Sequence, residues 1–109
     1  MKINERRIVI LELGNGLAPF EAWHGKLDRI LQRAVDARLT RIAAGNFGDH
    51  KSVGRGVFEL RIPKGPGLRV YYGLDGDELV ILIGGGDKKT QQRDIVRAKQ
   101  LWKEYVNEN

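Results

Sequence analysis

Residues 56–72 alternate between apolar and polar side chains on either side of a short loop. Side chains of a β-strand point to opposite faces with a period of two, so the alternation predicts two strands with one apolar face each. The loop at residues 63–67 is rich in Pro and Gly, which favours a tight hairpin connection. The apolar positions are Phe58, Leu60, Ile62, Leu68, Val70 and Tyr72.

The polar face of this hairpin carries two arginines, Arg61 and Arg69. A loop that closes symmetrically places them directly opposite each other, where like charges destabilise a strand pair. Because a guanidinium presents planar, paired donors, two of them form a natural clamp for a phosphate or a carboxylate. The alternative is an ordinary solvated strand face, on which Glu59 pairs with either arginine.

Three segments predict helices because their apolar residues recur every three or four positions. A short helix begins at Pro19, which the first turn of a helix tolerates, and ends near Gly25. A longer helix spans residues 28–44, and Thr90 caps a last helix. The stripe of the long helix is Leu27, Leu31, Val35, Leu39 and Ile42, widened by Ile30 and Ala34. The last helix is expected to pack Ile95, Ala98, Trp102, Tyr105 and Val106 against the sheet.

Two more apolar runs complete the predicted sheet. Residues 8–13 are rich in Ile, Val and Leu and predict a first, well-buried strand. Residues 79–83 are apolar on both faces, which predicts a central strand, and the pair Asp75-Gly76 predicts a hairpin before it. Residues 46–56 are rich in Gly and are interpreted as a loop that approaches the second strand.

This order of elements, β-α-α-β-β-β-α, predicts an α+β fold in a single domain over residues 1–109. The expected sheet is small, twisted and mainly antiparallel. All helices are expected to pack on one face of it, so that the other face, with the two arginines, stays open.

Composition narrows the classes of function. The chain has 109 residues, no cysteine and two histidines, so neither a disulfide nor a metal site built on Cys or His is expected. No cofactor is indicated. A membrane span needs about 20 consecutive apolar residues, and no run in this chain approaches that length. A cytoplasmic protein is therefore expected.

The formal net charge is +5, and the positive excess is concentrated between His50 and Val70. A basic surface of this kind attracts nucleic acid or an acidic protein, although a modest positive charge also serves solubility. The basic residues of this segment are Lys51, Arg55, Arg61, Lys64 and Arg69, against the single acid Glu59.

The element order and four segments, residues 47–51, 59–62, 65–72 and 84–88, together resemble a known family. They are similar to the RelE/ParE superfamily of toxin–antitoxin toxins, and most of all to its HigB-like "addiction module killer protein" branch. The four segments read FGDHK, ELRI, GPGLRVYY and GGGDK, and the resemblance covers nearly the whole chain.

The resemblance implies a small toxin that a co-expressed antitoxin neutralises. RelE-like members cleave messenger RNA, mostly in the ribosomal A site, whereas ParE-like members poison DNA gyrase and lack the nuclease residues. Because this chain keeps basic residues at the RelE-like positions, the resemblance implies a metal-independent, ribosome-dependent endoribonuclease that inhibits translation. The alternatives are a non-catalytic gyrase inhibitor and an inactive toxin-like binding module.

The resemblance also assigns roles to individual residues. Arginines suit the scissile phosphate, lysines surround it, and a histidine that titrates near neutrality is a candidate acid or base. Glu59 is either a base or a partner that holds Arg61. The catalytic candidates are Arg61, Arg69, Lys88, Lys51, Asp87 and His50. The RNA-binding candidates are Arg55, Lys64, Lys89 and Tyr71, the last as a stacking aromatic.

The chain departs from the family at the end of its last strand. Many RelE-like toxins carry Tyr or His there, whereas this chain has Asp87 and Lys88. The acid–base pair is therefore open, and the ribosome is expected to supply part of the substrate orientation. The expected partners are a cognate antitoxin and messenger RNA on the ribosome, with no membrane and no metal.

Overall fold

The computed structural model describes residues 5–108. Its elements follow the predicted order, with one additional strand before the hairpin. They are β1 (Arg7–Ile10), α1 (Pro19–Gly25), α2 (Arg29–Ala43), β2 (His50–Gly54), β3 (Val57–Ile62), β4 (Leu68–Asp75), β5 (Leu79–Asp87) and α3 (Gln91–Glu108). The α+β class is confirmed. The start of the chain, residues 1–4, lies outside the described residues.

The strands form one sheet in the order β1-β5-β4-β3-β2. β1 runs parallel to β5, and the other neighbouring strands are antiparallel. β5 lies between β1 and β4, as its double-sided apolar pattern predicts, and it continues past residue 83 to Asp87. Both predicted hairpins are confirmed, because β3 pairs with β4 and β4 pairs with β5 around Gly76.

Two elements near the edges of the sheet differ from the prediction. β1 is not well buried, since Val9 is 37% and Ile10 38% exposed. An apolar run does not distinguish a central strand from an edge strand, because that depends on what lies beside it. Residues 46–56, which the glycines predict to be a loop, contain the strand β2, whose backbone pairs with β3.

The helices cover both faces of the sheet, which corrects the prediction that they share one face. α1 and α2 pack on the face that carries Leu60, Val70 and Tyr72, called here the α2 face. α3 packs on the opposite face, against Val57, Tyr71, Ile81 and Ile83, called here the α3 face. β4 and β5 are buried on both sides, so each side of these strands needs a covering layer.

Two residues of the predicted helix stripes lie outside the core. Ile30 is 75% and Val106 52% exposed, whereas Val35, Ile42, Ala98 and Trp102 are buried. Both exposed residues lie near an end of their helix. Within residues 5–108, no helix combines the length and the apolar character that crossing a membrane requires.

Candidate functional site: a buried glutamate between two arginines

The hairpin register brings four functional side chains to the α3 face. Arg61 on β3 lies directly opposite Arg69 on β4, as predicted, and Glu59 lies opposite Tyr71. Residues directly opposite in an antiparallel pair project to the same side of the sheet. Together with Gln91 from the first turn of α3, these residues form the Glu59 cluster: Glu59, Arg61, Arg69, Tyr71 and Gln91.

Glu59 is the centre of the cluster, and its side chain has no exposed surface. Gln91 Nε2 donates a hydrogen bond to its Oε2 at 2.8 Å, and the hydroxyl of Tyr71 donates to the same oxygen at 3.2 Å. Arg61 Nε donates to Oε1 at 3.3 Å. A buried carboxylate is tolerated only with such donors, so these contacts give Glu59 the role of an anchor.

The two arginines differ in their access to solvent. The side chain of Arg61 is 37% exposed, whereas that of Arg69 is 13% exposed, with its Nε 3.9 Å from Glu59 Oε1. Among the described residues, Arg69 Nε has no hydrogen-bond partner. Two guanidiniums share one carboxylate, so the cluster keeps a net positive charge. Arg61 is the part of that charge which a ligand from solution can reach.

α3 lies against this face, which corrects the expectation of an open sheet face. Gly86 pairs with Arg69 across β4 and β5. A Cβ added at Gly86 would meet the side chains of Asp94 and Thr90 and force them to move. The first turns of α3 therefore pack directly against the backbone of β5 at this glycine. The arginines lie beside a helix and not on a bare sheet.

Tyr71 does not match the expectation of a stacking aromatic. Its side chain is fully buried between β4 and α3. Burial raises the pKa of its hydroxyl far above 10, and the neighbouring Glu59 carboxylate raises it further. Tyr71 is consequently a neutral hydrogen-bond donor to Glu59 and has no ring face available to a nucleobase.

Two lysines predicted at the site do lie near it. Lys51 on β2 is opposite Glu59, on the α3 face, and is exposed. Lys88 follows β5 and is also exposed. A Cβ placed on Gly67 would lie 3.4 Å from Lys88 Cβ and 3.8 Å from Arg69 Nη1, so both basic side chains border that glycine. The exposed basic groups around Arg61 are thus lysines.

Asp87 has a local role in the turn that leads into α3. Its Oδ1 accepts hydrogen bonds from the backbone N–H of Lys89 at 2.8 Å and of Thr90 at 3.2 Å. The carboxylate therefore holds the loop between β5 and α3. Lys89 is exposed in the same loop.

Three further candidates lie apart from the Glu59 cluster. His50 pairs with Leu60, on the α2 face, and its ring lies 5.3 Å from that of Phe47. Arg55 lies in the turn between β2 and β3, beside the second half of α3. Lys64 is exposed in the hairpin loop that follows β3. His50 faces the α2 face because side chains alternate along a strand, and Lys51, its neighbour in sequence, faces the α3 face.

Sequence reasoning missed two residues that position the cluster. Gln91 comes from a helix that starts 32 positions after Glu59, and no local pattern signals that contact. Arg38 on α2 donates from Nη1 to the carbonyl oxygen of Arg61 at 2.6 Å and from Nη2 to that of Phe47 at 3.1 Å. Burial lowers the pKa of Arg38. The one signal in the sequence is its position on the apolar stripe of α2, three residues after Val35 and four before Ile42, where a charged side chain is unexpected.

The geometry offers a positively charged surface. Within residues 5–108, no group of three or more His, Cys, Asp or Glu side chains is arranged to hold a metal ion. The arrangement can bind an anion at Arg61, with Arg69 beneath it and lysines around it.

Two comparisons place the chain among known proteins. Residues 22–103 match the family described as Phage derived protein Gp49-like (DUF891). Over 86 residues the chain is 50% identical to a protein of Haemophilus influenzae named "Uncharacterized protein", which covers 78% of this chain and 87% of that relative. The chain therefore belongs to the Gp49-like family, the family of addiction-module killer proteins and RelE-like toxins.

Proposed function

We propose that this protein is the toxin of a type II toxin–antitoxin module and cleaves messenger RNA on the ribosome without a metal ion. The observation that carries this proposal is the Glu59 cluster. It holds Arg61 at the surface with a second guanidinium directly across the strand pair. Membership of the Gp49-like family supports the first part of the proposal, that the protein is a toxin.

Cleavage proceeds by attack of the RNA 2′-hydroxyl on the adjacent phosphorus. The bond from O2′ to phosphorus forms while the bond from phosphorus to O5′ breaks. The reaction requires a base at O2′, an acid at O5′ and positive charge beside the phosphate oxygens. Arg61 binds those oxygens, and Arg69 adds positive charge beneath it.

The proton transfers fall to exposed groups, because Glu59 is already occupied. A carboxylate that is fully buried and accepts three hydrogen bonds does not reach a 2′-hydroxyl. We assign these transfers to Lys51, opposite Glu59 on β2, and to Lys88, which borders Gly67 beside Arg69; both are exposed. The site holds no preformed acid–base pair between them, which suits an enzyme whose substrate is oriented by the ribosome.

Induction of wild type and of Arg61→Ala in a bacterial host tests the proposal. We expect wild type to arrest growth and to generate new messenger RNA ends. Loss of one charge-stabilising group lowers a rate by roughly 10²–10³-fold, so Arg61→Ala should show neither effect. Arg33→Ala, which removes an equally basic, exposed side chain on α2, is the matched control and should behave as wild type. Growth arrest with intact messages would contradict the nuclease.

A second function has one observation in its favour. Within residues 5–108, neither a histidine nor an exposed tyrosine lies beside the two arginines. This favours a non-catalytic toxin that acts on DNA gyrase. Purified protein would then inhibit supercoiling, and Arg61→Ala would stay toxic. Harmless overexpression at high level would instead indicate an inactive binding module.

The proposal also covers the family branch, the cellular location and the protein partner. We assign the chain to the HigB-like branch and to the cytoplasm, where its ribosomal substrate is found. We expect the protein encoded by the adjacent reading frame to be its antitoxin and to co-purify with it. A toxin that is produced freely alone, without cost to the host, would contradict this part.

A further inference from the structure

A second basic surface lies on the outer side of α3, away from the Glu59 cluster. It combines Arg55, in the turn between β2 and β3, with a stripe of α3 residues at helical spacing. The two parts border a groove of about 520 Å³. The residues of this Arg55–α3 surface are Arg55, Val96, Lys99, Lys103 and Val106.

The backbone at Arg55 is unusual. Its φ is +59°, and it is the one non-glycine residue of the described chain with a positive φ. Glycine or asparagine normally occupies this left-handed region, because a larger side chain is strained there. A Cβ on the next residue, Gly56, would lie 2.8 Å from Trp102 Nε1, so the turn is packed tightly against α3. The positive φ values of Arg55 and Gly56, +59° and +83°, are those of the two-residue turn that joins β2 to β3, and this turn leaves the side chain of Arg55 exposed beside α3.

Charge and apolar exposure together define what fits this groove. Every charged side chain that lines it is a cation: Arg55, Lys99 and Lys103. Val96 and Val106 are 69% and 52% exposed at the two ends of the stripe. At a rise of about 1.5 Å per residue, the valines are separated by about 15 Å along the helix. A complementary surface carries acidic groups between two apolar contacts at that distance.

An RNA strand would use only part of this surface. RNA backbones bind to cations, but the two valines gain nothing from a phosphate. Nucleobases stack on exposed aromatic rings, and the aromatic residue of the groove, Trp102, is 7% exposed. An amphipathic helix with acidic residues can contact both the cations and the two valines of this groove. Its apolar and acidic residues recur at the same spacing as the α3 stripe.

We propose that the Arg55–α3 surface binds an acidic amphipathic helix of the antitoxin. The inference rests on the proposed function in one respect: it takes the antitoxin as the occupant. The antitoxin is then held at a place separate from the Glu59 cluster. Variants of this surface should consequently escape neutralisation while they remain toxic.

Binding of the purified product of the adjacent reading frame, measured by calorimetry, tests the proposal. We expect Lys99→Glu/Lys103→Glu to weaken binding at least tenfold, and Val96→Asp to weaken it as well. Arg29→Glu/Arg33→Glu on α2 makes the same change in net charge at exposed positions and should bind within twofold of wild type. Circular dichroism confirms that each variant is folded.

Three results would overturn the proposal. They are unchanged affinity in Lys99→Glu/Lys103→Glu, an equal loss in the α2 control, and no binding of that product to wild type. Weaker messenger RNA cleavage by Lys99→Glu/Lys103→Glu with unchanged affinity for the product would assign the surface to RNA instead. A protein that binds the product through this surface but cleaves no RNA would contradict the nuclease alone.

Discussion

Each face of the sheet completely buries one residue of β3, and these two residues are stabilised by different means. Leu60, on the α2 face, and Glu59, next to it on the α3 face, both have no exposed surface. Leu60 packs among apolar side chains, where contacts are non-directional and a neighbour can adjust. Glu59 depends on donors at fixed positions, and each lost donor leaves the buried carboxylate with fewer hydrogen bonds to offset its desolvation. Burial alone therefore does not indicate what a residue contributes.

Two consecutive tyrosines make the same comparison. Tyr72, on the α2 face, stacks between Phe47 and Phe58, with ring centroids 5.7 and 5.6 Å away. Tyr71, on the α3 face, donates its hydroxyl to Glu59. Tyr72 contributes the apolar surface of its ring, whereas Tyr71 contributes a hydrogen bond. The roles differ because neighbouring side chains of a strand point to opposite faces of the sheet.

The largest effect is expected where the Glu59 cluster loses its central carboxylate. Glu59→Leu leaves two guanidiniums without their carboxylate and should lower the free energy of unfolding by about 3–5 kcal/mol. Urea denaturation measures the loss. In Glu59→Leu/Arg69→Met the less exposed charge is removed as well, so part of the stability should return. Wild-type stability in Glu59→Leu would show that the cluster is not buried as described.

On the α2 face the corresponding change is Leu60→Ala. A buried leucine replaced by alanine leaves a cavity, which costs roughly 2–5 kcal/mol. The same denaturation series measures it. Ile30→Ala, at a position that is 75% exposed, is the control and should change stability by about 0.5 kcal/mol or less. A smaller cost at Leu60 than at Ile30 would contradict the assignment of the core.

Alkaline pH tests the burial of Tyr71 and Tyr72, because a buried hydroxyl ionises at a higher pH than an exposed one. Burial raises the pKa of Tyr72 to about 12. The pKa of Tyr71 is also raised, mainly by burial and secondly by the negative charge of Glu59. An unfolded tyrosine ionises near pH 10, so above that pH the folded protein holds more protons than the unfolded one. Stability should be complete below about pH 10 and fall as the pH rises towards 12. Tyr72→Phe should flatten the decline, and a profile identical to wild type would argue against burial.

The smallest effect on stability is expected at Val106. The helix stripe predicted it in the core, but it is 52% exposed. Val106→Ser should shift the free energy of unfolding by less than about 0.5 kcal/mol, because exposed positions contribute little. Thermal denaturation measures this shift, and binding to the antitoxin should weaken in the same variant. A loss of stability as large as that of Leu60→Ala would place Val106 in the core after all.

Local patterns predicted the parts of the fold that depend on neighbours in sequence. The period of two identified β3 and β4, and the short loop between them fixed the register that places Arg61 opposite Arg69. The long helix was predicted within about a residue at each end. The local patterns did not predict β2, because it is an edge strand with polar side chains. Its extended backbone is specified by pairing with its partner, β3.

The amino-acid sequence by itself determined four of the five strands, the three helices and the facing pair of arginines, since turns and periodicity act over a few residues. Only the tertiary structure decided that α3 covers the face with the arginines, that Glu59 is buried between them and that Arg55 lies elsewhere. These outcomes depend on contacts between distant segments, such as that of Gln91 with Glu59. Such contacts form because both faces of the central strands must be covered, and no local pattern states which helix covers which face.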